Sequence, residues 1–327
     1  MRAVRKLVGL LAVAVCGVGL SGTAVGAEQI VVAHYDSQLF GAPYAIAMAK
    51  GYFQEGGLKE LKVLGSSGGG TSVRNMLASG AFFAEVALPS AIAAIAQGHD
   101  LKIVSPGVDG LDAFWVTRAG MKIETPEDLK GKRIAYTRPQ SVSEGIIHTF
   151  LEQNGLSSAD VKLVAIGGIG AGITALQQDK VDLAILPEPV FSDLMRGGAP
   201  YKVVGWLNDK LPKITQTVGV ATIETITNSP DKLRAAIAAR RKGVDFLYAN
   251  PGEAAAITSK LYGLPPAVME GAIGNLRKLS STWWNPGRFD RKAMSDMVQV
   301  LHRAGAIEKD VDWSQVIDDR FIPDDLR

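Results

Sequence analysis

Leu61-Lys62-Val63-Leu64-Gly65-Ser66-Ser67-Gly68-Gly69-Gly70 is a short apolar run that breaks into glycine and serine, and a helical pattern follows over Ser72–Ser79. Roughly 100 residues later, Val161–Ala165 leads into Gly167-Gly168-Ile169-Gly170-Ala171-Gly172 and a helix reaching Gln178. Apolar runs of this length bounded by glycine and proline read as buried strands. The elements on either side repeat as well. Strand-like Ile30–Ala33 and a helix over Pro43–Lys50, closed by Gly51, precede the first run. Phe82–Leu88, Pro89-Ser90, a helix ending at Gly98 and strand-like Leu101–Ser105 follow it. In the second series Arg133–Tyr136 and a helix over Ser141–Asn154 come before, and Val181–Leu186, Pro187-Glu188-Pro189 and Tyr201–Val204 come after. The repeat is one of architecture, without residue identity between the halves.

Strands alternating with helices imply a mainly parallel sheet flanked by helices, and two such series imply two α/β lobes. Thr217–Ile223 reads as a crossover strand that returns the chain to the first lobe. Ser229-Pro230, Asn250-Pro251 and Asp290 open helices as caps with first-turn residues, giving helices over 231–248, 251–261, 266–277 and 291–304. The predicted division is residues 28–116 with 220–327 as lobe one and 117–219 as lobe two.

The 327 residues are 47% hydrophobic and 21% charged, which excludes a disordered chain and is enough for more than one core. Arg2, Arg5 and Lys6 precede an apolar Leu7–Leu20, and Val25 and Ala27 supply small residues before a cut, so 1–27 reads as a secretory signal peptide. The apolar run is shorter than the roughly 20 residues that span a bilayer. Cys16 raises a lipoprotein anchor, but Val15 before it is β-branched where a small residue is wanted. Without 1–27 the formal charge falls from +2 to −1, and Cys16, the only cysteine, is gone. That removes a disulfide framework, thiol catalysis and a thiolate zinc site. It also removes the electrostatic basis for nucleic-acid binding.

Ligands of open parallel sheets bind beyond the carboxyl ends of the strands. The loops there are Tyr35–Gln38, Gly65–Thr71, Leu88–Ser90, Thr137–Ser143, Gly167–Gly172 and Pro187–Pro189, rich in hydroxyls and glycine and poor in charge. Such loops suit a small anion or polar group at helix N-termini. The candidate ligand contacts are Tyr35, Ser37, Gln38, Ser66, Ser67, Gly69, Thr71, Ser90, Trp115, Arg138, Ser141, Ser143 and Glu188. Ser141 with Glu144 also reads as a capping box. Arg138 is either the cation for a carboxylate or sulfonate or a surface ion pair. Glu188 either accepts from a ligand donor or pairs across the lobes, and Trp283-Trp284 either cover a ligand or pack a loop.

Catalytic chemistry finds little support. His34, His99, His148 and His302 lack metal-ligand spacing, and no Gly-x-Ser-x-Gly elbow is present. A dinucleotide fingerprint through Gly168 and Gly170 fails at Ile173, and no Gly-Lys-Ser/Thr follows either glycine run. Neither a cofactor nor a bound metal is expected.

Pro43-Tyr44-Ala45-Ile46-Ala47-Met48-Ala49-Lys50-Gly51-Tyr52-Phe53, Met76-Leu77-Ala78-Ser79-Gly80, Asp128-Leu129-Lys130-Gly131-Lys132-Arg133-Ile134-Ala135 and Val181–Ile185 with Pro187-Glu188-Pro189 occur in this order. In these stretches the chain resembles the solute-binding proteins of ABC importers, in the nitrate/sulfonate/taurine-type group that includes the NMT1/THI5-like proteins. The resemblance implies a two-lobed type II periplasmic-binding-protein fold hinged on crossover strands. It also implies a monomeric periplasmic binder, ligand contacts from the serine loops at 66–71 and 141–143, and delivery to a permease at the inner membrane. The enzyme relatives that build the thiamine pyrimidine carry a cysteine cluster, which this chain lacks after residue 27. The expected ligand is a small organic anion, sulfonate or carboxylate. A neutral pyrimidine, a secreted enzyme acting on a small acid, and a sensor partner are the alternatives.

Overall fold

A computed structural model describes residues 28–326 except 113, 169, 199, 209 and 210, so the predicted signal segment 1–27 and Cys16 lie outside the described residues. The chain begins β1 (Gln29–Ala33), α1 (Ala42–Ala49), α2 (Tyr52–Glu55), β2 (Lys62–Ser66), α3 (Gly70–Ser79), β3 (Phe83–Ala87), α4 (Leu88–Ala96), β4 (Leu101–Asp109). It continues β5 (Phe114–Arg118), β6 (Arg133–Tyr136), α5 (Val142–Gln153), β7 (Lys162–Ala165), α6 (Ala171–Gln177), β8 (Ala184–Leu186), α7 (Val190–Arg196), β9 (Tyr201–Val203) and β10 (Thr215–Thr222). The remainder is helical: α8 (Ile223–Asn228), α9 (Pro230–Ala249), α10 (Pro251–Tyr262), α11 (Pro266–Leu279), α12 (Arg291–Arg303) and α13 (Trp313–Val316).

The first sheet has the order β2-β1-β3-β10-β4, with β1 parallel to β2 and β3 and β10 antiparallel to β3 and β4. In the second, β5 is antiparallel to β8 and β9, and β6 is parallel to β7. A parallel bridge between Ile134 and Leu183, with Ala135 N–H donating to the Leu183 carbonyl at 2.9 Å, joins these pieces in the order β7-β6-β8-β5-β9. Both sheets therefore share one pattern, and each owes its single antiparallel strand to the chain crossing between lobes. The fold is the expected two-lobed type II α/β architecture. Strand β5 escaped the sequence reading, and the predicted divisions at 116/117 and 219/220 fall inside β5 and β10. The reason is physical: a crossover strand is stabilised by a sheet built from distant sequence, so no local turn signal brackets it.

Each lobe has its own core. Ile30, Val32, Tyr44, Phe53 and Phe83 pack in lobe one, and Phe114, Val116, Leu176, Leu186 and Phe191 in lobe two, where Phe114 stacks on Phe191 at 4.2 Å. A further cluster spans both, because α12 lays Met294, Met297, Val298 and Leu301 among Leu88 and Ile92 of α4 and Ile146 and Phe150 of α5. Gly145 permits this approach, since a Cβ there would lie 2.2 Å from the Val300 carbonyl oxygen. Asp290 caps α12 through Ala293 N–H at 2.9 Å. Ser229 and Asn250 make no side-chain cap bond, and Pro230 and Pro251 alone mark those helix starts. Trp283 and Trp284 are buried in a core with Phe40, Val108 and Leu247, and Trp284 Nε1 donates to the Leu39 carbonyl at 2.8 Å.

Candidate functional site

Between the lobes lies a cleft of about 470 Å³. Its walls are strand ends and the helix starts that follow them: Ala33 and His34 at the end of β1, Ser67, Gly69 and Gly70 at α3, Pro89 and Ser90 at α4, and Thr137, Arg138 and Gln140 to Ser143 leading into α5. Gly167, Gly168, Ile185 and Pro187 complete the lobe-two wall, Met297 and Leu301 of α12 add apolar surface, and Leu111, Asp112 and Gln216 come from the crossovers. The first amides of α3, α4 and α5 have no intrahelical carbonyl partner, which makes these starts mildly electropositive.

Local chemistry explains the wall. His34 has φ +52°, in the left-handed region, and Gly68 makes room for it: a Cβ on Gly68 would lie 2.0 Å from His34 Nε2. Burial lowers the His34 pKa, Asp36 partly opposes this, and the Arg138 cation adds to the lowering. Ser143 Oγ accepts from Thr137 N–H at 3.0 Å and lies 3.0 Å from Ser141 Oγ, so these hydroxyls form one chain along the α5 start. Ser141 caps α5 through Glu144 N–H at 3.3 Å, but Glu144 Oε2 accepts from Gln140 N–H at 2.6 Å. The reciprocal half of the expected capping box is thus displaced by one residue, because Gln140 at φ +62° turns its amide toward the carboxylate. Arg138 is exposed and reaches across to lobe one, where a Cβ on Gly69 would sit 3.3 Å from Nη2. The lobe-two carboxylates Asp179 and Asp182 pair with Arg118 and Arg133. Arg138 enters no ion pair among the described residues.

Of the candidates read from sequence, Gln38, Ser67, Gly69, Ser90, Arg138, Ser141 and Ser143 line the cleft. Tyr35, Ser37, Ser66, Thr71, Trp115 and Glu188 do not. Half-buried Tyr35 packs against the lobe-one core, and burial with Asp36 nearby pushes its phenol up to about 12. Ser37 faces a neighbouring hollow of about 450 Å³ with Val190, Leu194 and Tyr262. Ser66 Oγ is bonded to Ser72 Oγ at 2.6 Å, and Thr71 Oγ1 accepts from Arg74 at 3.0 Å. Trp115 is fully buried against Phe150, since the strand face it occupies points into the core shared with α12. Glu188 is fully buried and accepts from Ser192 Oγ at 2.9 Å and from Asn275 Nδ2 at 2.8 Å. Asn275 belongs to α11, so the cross-lobe role describes Glu188, while burial raises its pKa against these hydrogen bonds.

Sequence reading missed two crossover residues. Asp112 is 6% exposed and Gln216 Nε2 donates to its Oδ1 at 2.9 Å and to the Gly110 carbonyl at 2.7 Å, tying the crossovers together at the hinge. Asp112 Oδ2 is buried without a hydrogen-bond partner. Burial pushes its carboxyl up to about 7, against the Gln216 amide and its own and the Glu188 backbone N–H, with the Glu188 charge pushing further up. The only local signal was a pair of acids, Asp109 and Asp112, inside the otherwise mainly apolar stretch Val108–Trp115. No cluster of three or more His, Cys, Asp or Glu able to hold a metal occurs among the described residues.

Two α/β lobes of matching strand order, joined by antiparallel crossovers around a cleft, define the class: a type II periplasmic-binding-protein fold. The chain belongs to the NMT1/THI5 like family, whose match spans residues 41–254. No curated protein matches it significantly. Among solved structures it is similar to the periplasmic aliphatic sulphonate binding protein SsuA of Escherichia coli, at 16% identity over 89% of this chain and 91% of that one, with a TM-score of 0.71. The alkanesulfonate-binding protein SsuA of Xanthomonas axonopodis pv. citri, bound to MOPS, is 15% identical over 89% and 98%, with a TM-score of 0.67. The desulfurization enzyme DSZB shares the fold at 14% identity over 90% and 97%, with a TM-score of 0.68.

Proposed function

We propose that this chain is an exported solute-binding protein that captures a small organic anion, a sulfonate or carboxylate, in the inter-lobe cleft and passes it to an ABC importer. Removal of 1–27 leaves it as a monomer in the periplasm. Family membership supports the reading. One observation carries it: Arg138, free of any ion pair among the described residues, stands in the cleft beside Ser141, Ser143 and the amides opening α3 and α5. A guanidinium with hydroxyls and free N–H groups satisfies an oxyanion without moving a proton. An anion touching Arg138 and Ser143 on lobe two and Gly69 on lobe one would bridge both lobes. That differential contact is what a ligand needs to favour a closed state.

A thermal-shift screen of residues 28–327 against sulfonates, aromatic and aliphatic carboxylates, nitrate, bicarbonate and pyrimidines tests the reading. At 100 times its Kd a ligand adds about 2.7 kcal/mol, a rise of roughly 4 °C for a chain this size. Arg138→Ala should weaken the best anion by about tenfold or more, since it removes a charge-assisted hydrogen bond. A responding compound recovered unchanged supports capture, and its conversion would move the protein to the enzymes. A best ligand that is neutral and indifferent to Arg138→Ala would overturn the anion reading.

A further inference from the structure

The Asp112 carboxyl does not fit a cleft that receives only an anion. It lies in the cleft lining, on the crossover between β4 and β5, and is almost wholly buried, yet its environment supplies a single side-chain donor, Gln216 Nε2 at 2.9 Å to Oδ1. The other oxygen has no hydrogen-bond partner. Among the described residues, the other buried carboxylates are not left so. Both oxygens of Glu85 and both of Glu188 accept side-chain or backbone hydrogens. A buried acceptor with no donor costs free energy, and folding tolerates it where a later partner recovers the loss. Besides Gln216, the groups that act on this carboxyl are its own and the Glu188 backbone N–H and the Glu188 carboxylate, so no second side-chain donor serves it among the described residues. A group entering the cleft can supply the side-chain-type donor that Oδ2 lacks.

We propose that Asp112 is a second ligand subsite that accepts a hydrogen bond from an amino or hydroxyl group on the captured anion, so that the ligand is a small acid with a hydrogen-bond donor at its other end. The proposal rests on the reading of the cleft as an anion site and narrows its ligand class. Arg138 and the α5 start would hold the acidic end, and Asp112 with Gln216 the donor end. Asp112 also sits where Gln216 ties the two crossovers, so a donor seated on it engages the hinge itself.

The test uses isosteric pairs that differ only in the donor. They are 4-aminobenzenesulfonate against 4-methylbenzenesulfonate, 4-aminobenzoate against 4-methylbenzoate, and 2-aminoethanesulfonate against propane-1-sulfonate, titrated calorimetrically into wild-type protein and Asp112→Asn. In at least one pair the wild type should bind the amino member about tenfold tighter or more, the discrimination a site with an unpaired acceptor exerts. Asp112→Asn should shrink that preference to about threefold or less, with affinity for the methyl member changed by no more than about threefold. A purely structural hinge residue would instead weaken both members equally, and that result overturns the assignment. Equal affinity of the wild type for both members of every pair that binds also overturns it, and leaves the anion reading standing. Failure of every probe to bind the wild type overturns both.

Discussion

Glu85 and Asp112 are both buried carboxyl groups in lobe one's sheet or its extension, and their surroundings are opposite. Glu85, on β3, accepts from Tyr44 Oη at 2.7 Å, Arg240 Nε at 2.7 Å and Thr217 Oγ1 at 2.6 Å. Arg240 spends its other hydrogens on the carbonyls of Asn285 at 2.8 Å and Gly107 at 2.6 Å. Nothing in that network faces the cleft. Asp112 has one side-chain donor and one oxygen, Oδ2, without a hydrogen-bond partner, and the residue lines the cleft. A charge buried for structure must be paired from within the chain, because no later event will pair it. A group buried beside a binding cavity can stay underpaired, because a ligand is available to finish the set.

The largest effect is expected at Glu85. Arg240→Met strands the carboxylate in the core, and urea unfolding should show a loss of about 3–5 kcal/mol. Replacing both, as Glu85→Gln with Arg240→Met, should cost less than Arg240→Met alone; a loss below about 1 kcal/mol for the single variant would mean the network is not what holds this charge.

On the Asp112 side the sign reverses. Its carboxyl rises from the ordinary 3.8 to about 7 on folding, so the fold favours the protonated form. The stability this contributes is complete below about pH 4, declines as the pH rises and is gone above about pH 7. Asp112→Asn, which cannot ionise, should therefore melt close to wild type at pH 4. Above pH 7 the ligand-free variant should be more stable by about 2–4 kcal/mol. A variant that is less stable than wild type at pH 8 would place Asp112 among the structural carboxylates with Glu85.

Thr217→Val sharpens the contrast at smaller scale. It removes the donor to Glu85 Oε1 and so gives Glu85 an idle oxygen of the kind Asp112 has, with an expected cost of about 1–2 kcal/mol by chemical denaturation.

The strands and helices of both lobes were legible because their signals are local. Val63-Leu64 breaking into Gly65–Gly70, and Val164-Ala165 breaking into Gly167-Gly168, mark strand ends within a few residues of themselves. The half of the site built on those loops was legible for the same reason: Ser67, Gly69, Ser90, Arg138, Ser141 and Ser143 follow strand ends directly. The other half was not. Trp115 looked like a cleft residue because it begins a crossover, and only the pairing of β5 with β8 and β9 shows that it faces the core. Glu188, held between two prolines, finds Asn275 87 residues away, a distance in sequence that no spacing rule spans. Asp112 and Gln216 lie 104 residues apart on segments with no periodicity to read.

Two α/β units, their order of elements and the hydroxyl-rich loops at their strand ends follow from local sequence, since each depends on backbone preferences and apolar periodicity over short stretches. Only the tertiary contacts set which strand crosses into which sheet, which buried carboxyl is satisfied and which keeps an unpartnered oxygen beside the cleft. Those are outcomes of contacts between distant segments, and hydrogen-bond satisfaction is settled only when the partners are in place.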